Sequence, residues 1–216
     1  NAAAYTDVER AELDSEQAFA INEKAAALLA QQCAEQGIQL IHLSTDYVFD
    51  GAKGAPYVPS DDTNPINIYG QSKLAGEKAV LSANSQAIIV RSSWLYSEFG
   101  HNFQTKILRA AKERLQQSKP LQVVSDEWGT PTYAPDLVRF LLALSQTPRA
   151  HRCQILHFSS DHVMSRLQMA EMLLTAAQHR EELKELPNIE AALSEDYPTV
   201  AKRPRNSALK SSELGG

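Results

Sequence analysis

Apolar and polar positions alternate along this chain in two rhythms, and these mark out its elements. Between residues 14 and 36, Ala18, Ile21, Ala25, Leu28, Leu29 and Cys33 recur at three- and four-residue steps, which predicts a helix with one apolar face. Asp14 or Ser15 can cap its start, and Gly37 suits its end. Residues 38–43 then form a short, mostly apolar run of the kind found in a buried parallel strand. The succession repeats. A helix over 68–81 precedes a strand over 87–91. A helix over 102–117, with Phe103, Ile107, Ala110, Ala111 and Leu115 on one side, precedes a strand over 121–124. Pro135 and Asp136 open a helix reaching about 144, followed by a strand over 155–158. Ser165 can cap a last helix ending near His179. Residues 50–67 are a loop, broken by Gly51, Gly54, Pro56, Pro59 and Pro65, and a loop that long inside a compact domain is usually functional. Residues 181–198 are acidic and aperiodic and read as an irregular connection. Asn1 to Thr6 reads as a strand end and its following loop.

Helices alternating with buried strands predict an α/β fold: a parallel sheet covered by helices on both faces. Ligands of such sheets bind beyond the carboxyl ends of the strands, which places Ser44-Thr45 and Ser92-Ser93-Trp94 on one rim. Composition narrows the function classes. The net charge of −5 argues against a nucleic-acid surface. No window approaches the roughly 18 apolar residues of a membrane span, and the first residues do not form a signal peptide. Cys33 and Cys153 have no metal spacing and read as small core residues, with the reducing cytoplasm as the expected location. None of the six histidines has metal spacing, and His42, alternating within a strand, receives no role.

The chemistry concentrates in Ser44-Thr45-Asp46 and in Tyr69-x-x-x-Lys73. Four residues apart on a helix, Tyr69 and Lys73 share a face. A free tyrosine titrates near about 10, too high for fast proton exchange at neutral pH. A lysine ammonium at roughly 4 Å in an effective dielectric of about 20 favours the phenolate by about 4 kcal/mol, enough to lower that pKa by up to about three units. Tyr69 so tuned could protonate a carbonyl oxygen as hydride reaches the carbon, with the Thr45 or Ser44 hydroxyl holding that oxygen. The bland alternative is a surface helix pair: with seven tyrosines in the chain, some Tyr-x-x-x-Lys is expected by chance. Trp94 could equally be a core aromatic, Asp46 a turn cap, Arg205 part of a solvated basic tail, and the mid-helix Asn22 a solvent-facing amide.

Longer strings reduce the ambiguity. Residues 44–51 (Ser-Thr-Asp-Tyr-Val-Phe-Asp-Gly), 69–77, 91–96, 101–103, 123–132 and the tail Arg203-Pro204-x-Asn206-Ser207 occur in an order and spacing that resemble the dTDP-4-dehydrorhamnose reductase family, within the extended short-chain dehydrogenase/reductase superfamily. The resemblance spans nearly the whole chain. It implies a Rossmann-like sheet with a small mixed C-terminal substrate region. Residues 1–93 would belong to the dinucleotide-binding domain and 94–216 mainly to the substrate region, with 135–160 returning to the sheet. It implies that Tyr69 is the proton donor, that Lys73 tunes it and binds the nicotinamide ribose, and that Thr45 hydrogen-bonds the reacting oxygen. Asp46 would help hold the sugar, Trp94 would pack beside its ring, and Arg205 would meet the nucleotide diphosphate. Asn1, Ala2 and Ala3 would pass close to the nicotinamide ribose. The reaction implied is hydride transfer from NADPH or NADH to the 4-keto group of a dTDP-linked deoxysugar, giving dTDP-L-rhamnose for cell-surface polysaccharide synthesis. Members are often cytoplasmic homodimers, some with a metal such as Mg²⁺ between subunits; no ligand set here assigns one. In the superfamily an asparagine placed as Asn22 is often used to order water.

The sequence departs from the pattern at its front. None of the nine glycines forms the Gly-rich turn that holds the cofactor pyrophosphate, so residues 1–216 alone are expected to bind nucleotide cofactor weakly or not at all. Two other readings compete: a nucleotide-sugar epimerase or dehydratase of the same superfamily, and a non-catalytic dinucleotide-binding regulatory subunit. Against dehydration stands Thr45-Asp46, where a dehydratase would carry an Asp-Glu pair.

Overall fold

The computed structural model describes residues 1–146 and 154–212. Its first part is helical: α1 (Val8–Leu13), α2 (Ser15–Phe19) and α3 (Ala26–Glu35), with one π-helical stretch, Ala20–Ala25, joining α2 to α3. Strand β1 (Ile41–Thr45) follows, then the long helix α4 (Ile68–Ala83) and β2 (Ile88–Ser92). Next come β3 (Leu95–Tyr96), α5 (Phe103–Gln117), β4 (Leu121–Val124), β5 (Trp128–Gly129), β6 (Thr132–Tyr133) and α6 (Ala134–Gln146). The chain closes with β7 (Ile155–Phe158), β8 (Met164–Ser165), α7 (Arg166–His179) and β9 (Ile189–Ala192).

β1, β2 and β7 form a parallel sheet in that order. β2 is buried along its whole length, and its alternating side chains serve two layers. Ile89 packs with Ala26, Ala30 and Cys33 of α3 and Val80 of α4, while Ile88 and Val90 pack with Leu137, Phe140 and Leu144 of α6. Helices on both faces are the expected architecture, and the reason is plain: a central strand buried on both faces needs cover on each side. A second core joins Ile107 and Ala111 of α5, Leu121 and Val123 of β4, and Met169, Leu173 and Leu174 of α7.

The apolar face expected for the first long helix differs from the one buried. Ala18 and Cys33 turn inward as expected, but Leu28 is 64% exposed, and Asn22, Ala26 and Ala30 complete the buried face instead. The π stretch supplies an extra residue that rotates the succeeding turns of α3, and the small side chains let the helix lie against α4. Contact there is so close that a Cβ on Gly76 would sit 2.0 Å from the Asn22 carbonyl oxygen. Asn22 is therefore buried rather than solvent-facing. Its Oδ1 accepts from the Tyr5 amide (2.8 Å), and its Nδ2 donates to the Tyr5 carbonyl (3.1 Å) and to Ser72 Oγ (2.9 Å).

Residues 181–198 also differ from expectation. Ile189–Ala192 forms β9, paired in parallel with β4. Its Glu and Ala residues lack the β-branched signature of a strand, and only pairing with β4 reveals it. Cys33 is buried as expected; Cys153 lies outside the described residues.

Beneath the rim, Glu77 of α4 and Arg91 of β2 form a buried bidentate pair. Arg91 Nη2 donates to Oε2 at 2.7 Å and Nε to Oε1 at 2.9 Å, while Ser44 Oγ also donates to Oε1 at 2.5 Å. Removing one partner leaves a buried charge without its counter-ion. Arg91→Leu is expected to cost about 3–5 kcal/mol of stability, read as a lowered urea midpoint. An unchanged midpoint would show that Glu77 sheds its charge at little cost.

Candidate active site

The carboxyl end of the sheet opens into a cavity of about 790 Å³ lined by residues from the rim, α4, α5, α7 and the C-terminal segment. Register places Thr45 opposite Ser92, and both line this cavity with Ser44, Asp46, Tyr69, Trp94 and Arg205. Ser93, the other rim hydroxyl, has a structural part: its Oγ donates to the Thr130 carbonyl at 2.5 Å.

Thr45 ends β1 and caps the 3-10 turn Asp46–Val48, its Oγ1 accepting from the Tyr47 amide at 3.2 Å. The same hydroxyl donates to Asp46 Oδ1 at 3.0 Å, and Thr45 and Tyr69 line the cavity together. Tyr69 stands in the first turn of α4, which Asn67 caps by accepting from the Gly70 amide at 2.7 Å. Tyr47 lies edge-on to the Tyr69 ring, with centroids 5.7 Å apart.

The electrostatics overturn one expectation. The Tyr69 phenol is pushed up from its ordinary value, first because burial disfavours the phenolate and also because the Asp46 carboxylate is close; the Thr45 hydrogen bond opposes this. Lys73 does not pull it down. Its ammonium donates to the Leu43 carbonyl at 2.7 Å, and burial lowers its pKa to about 8, with the Glu77 carboxylate pulling the other way. Helical spacing placed the pair on one face, but desolvation of the phenol is the larger effect. Burial also raises Asp46 to about 6, against hydrogen bonding from Ser207 and Thr45 and the nearby Arg166 charge. Its Oδ2 has no hydrogen-bond partner. Tyr47 is raised to about 12, mainly by burial.

Asn1 lies along the free edge of β1. Its backbone nitrogen donates to the Ile41 carbonyl (2.5 Å), its carbonyl accepts from the Leu43 amide (3.0 Å), and Asn1–Ala3 thereby pass the side of β1 where Lys73 is anchored. Trp94 takes a left-handed backbone (φ 47°), and its ring lies so close over Gly129 that a Cβ there would meet it at 2.4 Å. The Arg166 guanidinium covers the ring at 3.5 Å from its centroid. Arg205 is carried by a tail segment fixed by hydrogen bonds: the Trp128 amide donates to the Arg205 carbonyl at 2.7 Å, and the Ser207 amide to the Trp128 carbonyl at 2.9 Å.

Sequence reasoning missed Arg166, Tyr47 and Arg203 as cavity residues. Arg166 is the first residue of α7, directly after the Ser165 cap, and Arg203 pairs with Glu9 at 2.8 Å. The motif strings around Tyr47 and Arg203 contained a signal; Arg166 had none. Among the described residues no group of three or more His, Cys, Asp or Glu gathers to hold a metal, and no helix is long and apolar enough to cross a membrane.

A parallel α/β sheet with Thr45 and Tyr69 lining the cavity at its carboxyl end, and Lys73 buried one helical turn beyond Tyr69, defines a Rossmann-like oxidoreductase of the extended short-chain dehydrogenase/reductase class. The model of the RmlD substrate binding domain matches residues 1–215. A dTDP-4-dehydrorhamnose reductase of Aggregatibacter actinomycetemcomitans is 37% identical over 97% of this chain and 71% of its own length. That of Sinorhizobium fredii is 40% identical over 98% of this chain and 71% of its own. The crystal structure of the Bacillus anthracis reductase in complex with NADP superposes with a TM-score of 0.87 at 33% identity, covering 97% of this chain and 70% of that one. The chain belongs to the dTDP-4-dehydrorhamnose reductase family.

Proposed function

We propose that this chain carries the acid–base and sugar-binding machinery for NADPH-dependent reduction of dTDP-4-dehydro-L-rhamnose to dTDP-L-rhamnose. The observation that carries the reading is that Thr45, Asp46 and Tyr69 together line a cavity large enough for a nucleotide sugar. When bound, NADPH supplies the hydride that adds to C4 of the sugar. Tyr69 gives its phenolic proton to the C4 oxygen as negative charge develops there, and the Thr45 hydroxyl orients that oxygen. Lys73 and Asn1–Ala3, gathered on one side of β1, would hold the nicotinamide ribose. Fit to the cofactor is supported by the buried Lys73 ammonium, whose single donated bond to Leu43 leaves N–H donors for a ribose hydroxyl. Asp46, with an unpartnered Oδ2, suits a sugar hydroxyl, and Arg205 the diphosphate. Trp94 would border the sugar by its edge, since Arg166 already covers one face of the ring. On this reading residues 1–93 serve the cofactor side and 94–216 mainly the sugar side, with 135–160 completing the sheet.

The test is turnover by the full-length protein of dTDP-4-dehydrorhamnose with NADPH. One dTDP-L-rhamnose formed per NADPH consumed is the expected result. Conversion without net NADPH consumption would make the protein an epimerase or dehydratase instead.

A further inference from the structure

Three arginines line the cavity, and they differ in freedom. Arg203 and Arg205 lie exposed on the C-terminal segment, and Arg203 is paired with Glu9 at 2.8 Å. Arg166 is half-buried and immobilised. Its guanidinium sits 3.5 Å from the centroid of the Trp94 ring and 5.3 Å from that of Phe103. Two planar groups as close as the first pair must lie face to face, so the N–H donors point sideways out of the stack. On the Nε side, Glu127 Oε2 lies at 3.7 Å, an ion pair too long for a hydrogen bond. Nη1 and Nη2 donate to no described residue. The charge is also badly placed for the fold. Arg166 is the first residue of the 14-residue α7, the end of a helix that disfavours a cation, and burial works against its ionised form. A cation held rigidly at a cavity wall against both effects, with open donors, has the properties of an anion-binding group.

We propose that Arg166 is a substrate-binding residue that grips the β-phosphate of a nucleoside diphosphate sugar, the phosphate that carries the sugar. This rests on the nucleotide-sugar reading of the cavity. Position selects the β-phosphate. Arg166 is stacked on Trp94 and close enough to Asp46 to act on its carboxyl, and these are the two groups assigned to the sugar. Its field also reaches Arg203 on the C-terminal segment, so it stands between the sugar groups and the exposed arginines. An anion next to the sugar falls to Arg166, and the α-phosphate is left to Arg205. The two open Nη groups suit paired hydrogen bonds to phosphate oxygens. Because the stack already fixes the guanidinium, little side-chain freedom is lost when the phosphate binds. The competing role is purely structural: Arg166 would only prop up the Trp94 ring, which Gly129 approaches as well.

The experiment is calorimetric titration of the full-length protein, with NADPH saturating, by dTDP and by dTMP, which lacks the β-phosphate. Wild type, Arg166→Met and Arg166→Lys are compared. Methionine keeps an unbranched stem against Trp94 and Phe103 but has no donor. Wild type is expected to bind dTDP about ten- to a hundred-fold more tightly than dTMP, the range of charge-assisted hydrogen bonds. In Arg166→Met that preference should shrink to within about three-fold, with dTMP affinity little changed. Arg166→Lys keeps the charge without the fork, and should lose about three-fold or more of the preference while retaining more than methionine does. With dTDP-4-dehydrorhamnose as substrate, the loss in Arg166→Met should appear in KM with kcat held, since the phosphate is gripped equally before and during the reaction. Equal losses of dTDP and dTMP affinity would make Arg166 a prop for Trp94 and overturn the proposal, as would an unchanged preference in either variant. Equal wild-type affinities for the two nucleotides overturn it without any variant. Failure of the underlying reading looks different: the wild type then binds neither nucleotide.

Discussion

Tyr69→Phe is expected to lower kcat by about two to four orders of magnitude, the range over which a positioned general acid acts. The argument lies in the enclosure of the phenol. Burial raises its pKa, so at neutral pH it is fully protonated and available as a donor. Where the alkoxide forms, Tyr69 is the side chain in place to give a proton, since Thr45 only shares its hydrogen and Lys73 is tied to the Leu43 carbonyl. Phenylalanine keeps the edge contact with Tyr47 and fills the same volume, so the cavity keeps its shape. Affinity for the nucleotide sugar should therefore survive, and the loss should appear in kcat with little change in the dissociation constant for dTDP. NADPH oxidation measures the first and calorimetric titration the second. A variant slowed by less than about ten-fold would remove Tyr69 from the role of acid.

That expectation differs in mechanism from what spacing alone suggests. Tyr69 and Lys73 sit on one helical face, as their spacing requires, but spacing carries no information about solvent. The i, i+4 geometry suggested a lowered phenol, whereas burial first, and then the nearby Asp46 and Tyr47, raise it. The strands over 121–124 and 155–158 were legible because their apolar runs are bounded by polar breaks. The shared rim of Thr45 and Ser92 followed from the parallel topology. The inward face of α3 was not legible, because the π stretch before it shifts the helical phase and small residues, not leucines, suit close packing on Gly76. Arg166 escaped notice because its position against Trp94 depends on a long-range contact between the start of α7 and the end of β2, which no local pattern encodes.

The same dependence on burial governs the response to acid, where the chain is expected to lose several kcal/mol of stability between about pH 6.5 and pH 4. Two histidines are fully enclosed beneath the rim. His42, on β1, is depressed to about 3, by burial first and by the Lys73 ammonium second. His157, on β7, is depressed to about 4 by burial and by Arg91. His157 Nδ1 lies 3.1 Å from the Tyr57 carbonyl and Nε2 lies 3.4 Å from Arg91 Nη1, so the neutral ring donates on one side and accepts from the guanidinium on the other. A second ring proton would face Arg91 directly. Unfolded, both rings take a proton near about 6.5, so below that pH the unfolded chain binds more protons than the folded one and stability falls with pH. At about 1.36 kcal/mol per unit, the two together remove up to about 7 kcal/mol by pH 4. Asp46 works in the opposite sense: its carboxyl is raised to about 6, so it favours the folded state as pH falls through that value, returning up to about 3 kcal/mol. The net loss, about 4 kcal/mol, is comparable to the whole stability of many domains. Urea midpoints measured from neutral pH down to about 4 should fall steadily, and His157→Asn, which keeps a donor toward the Tyr57 carbonyl but cannot titrate, should flatten the slope by roughly half. An unaltered slope in that variant would mean that His157 is not a source of the acid sensitivity.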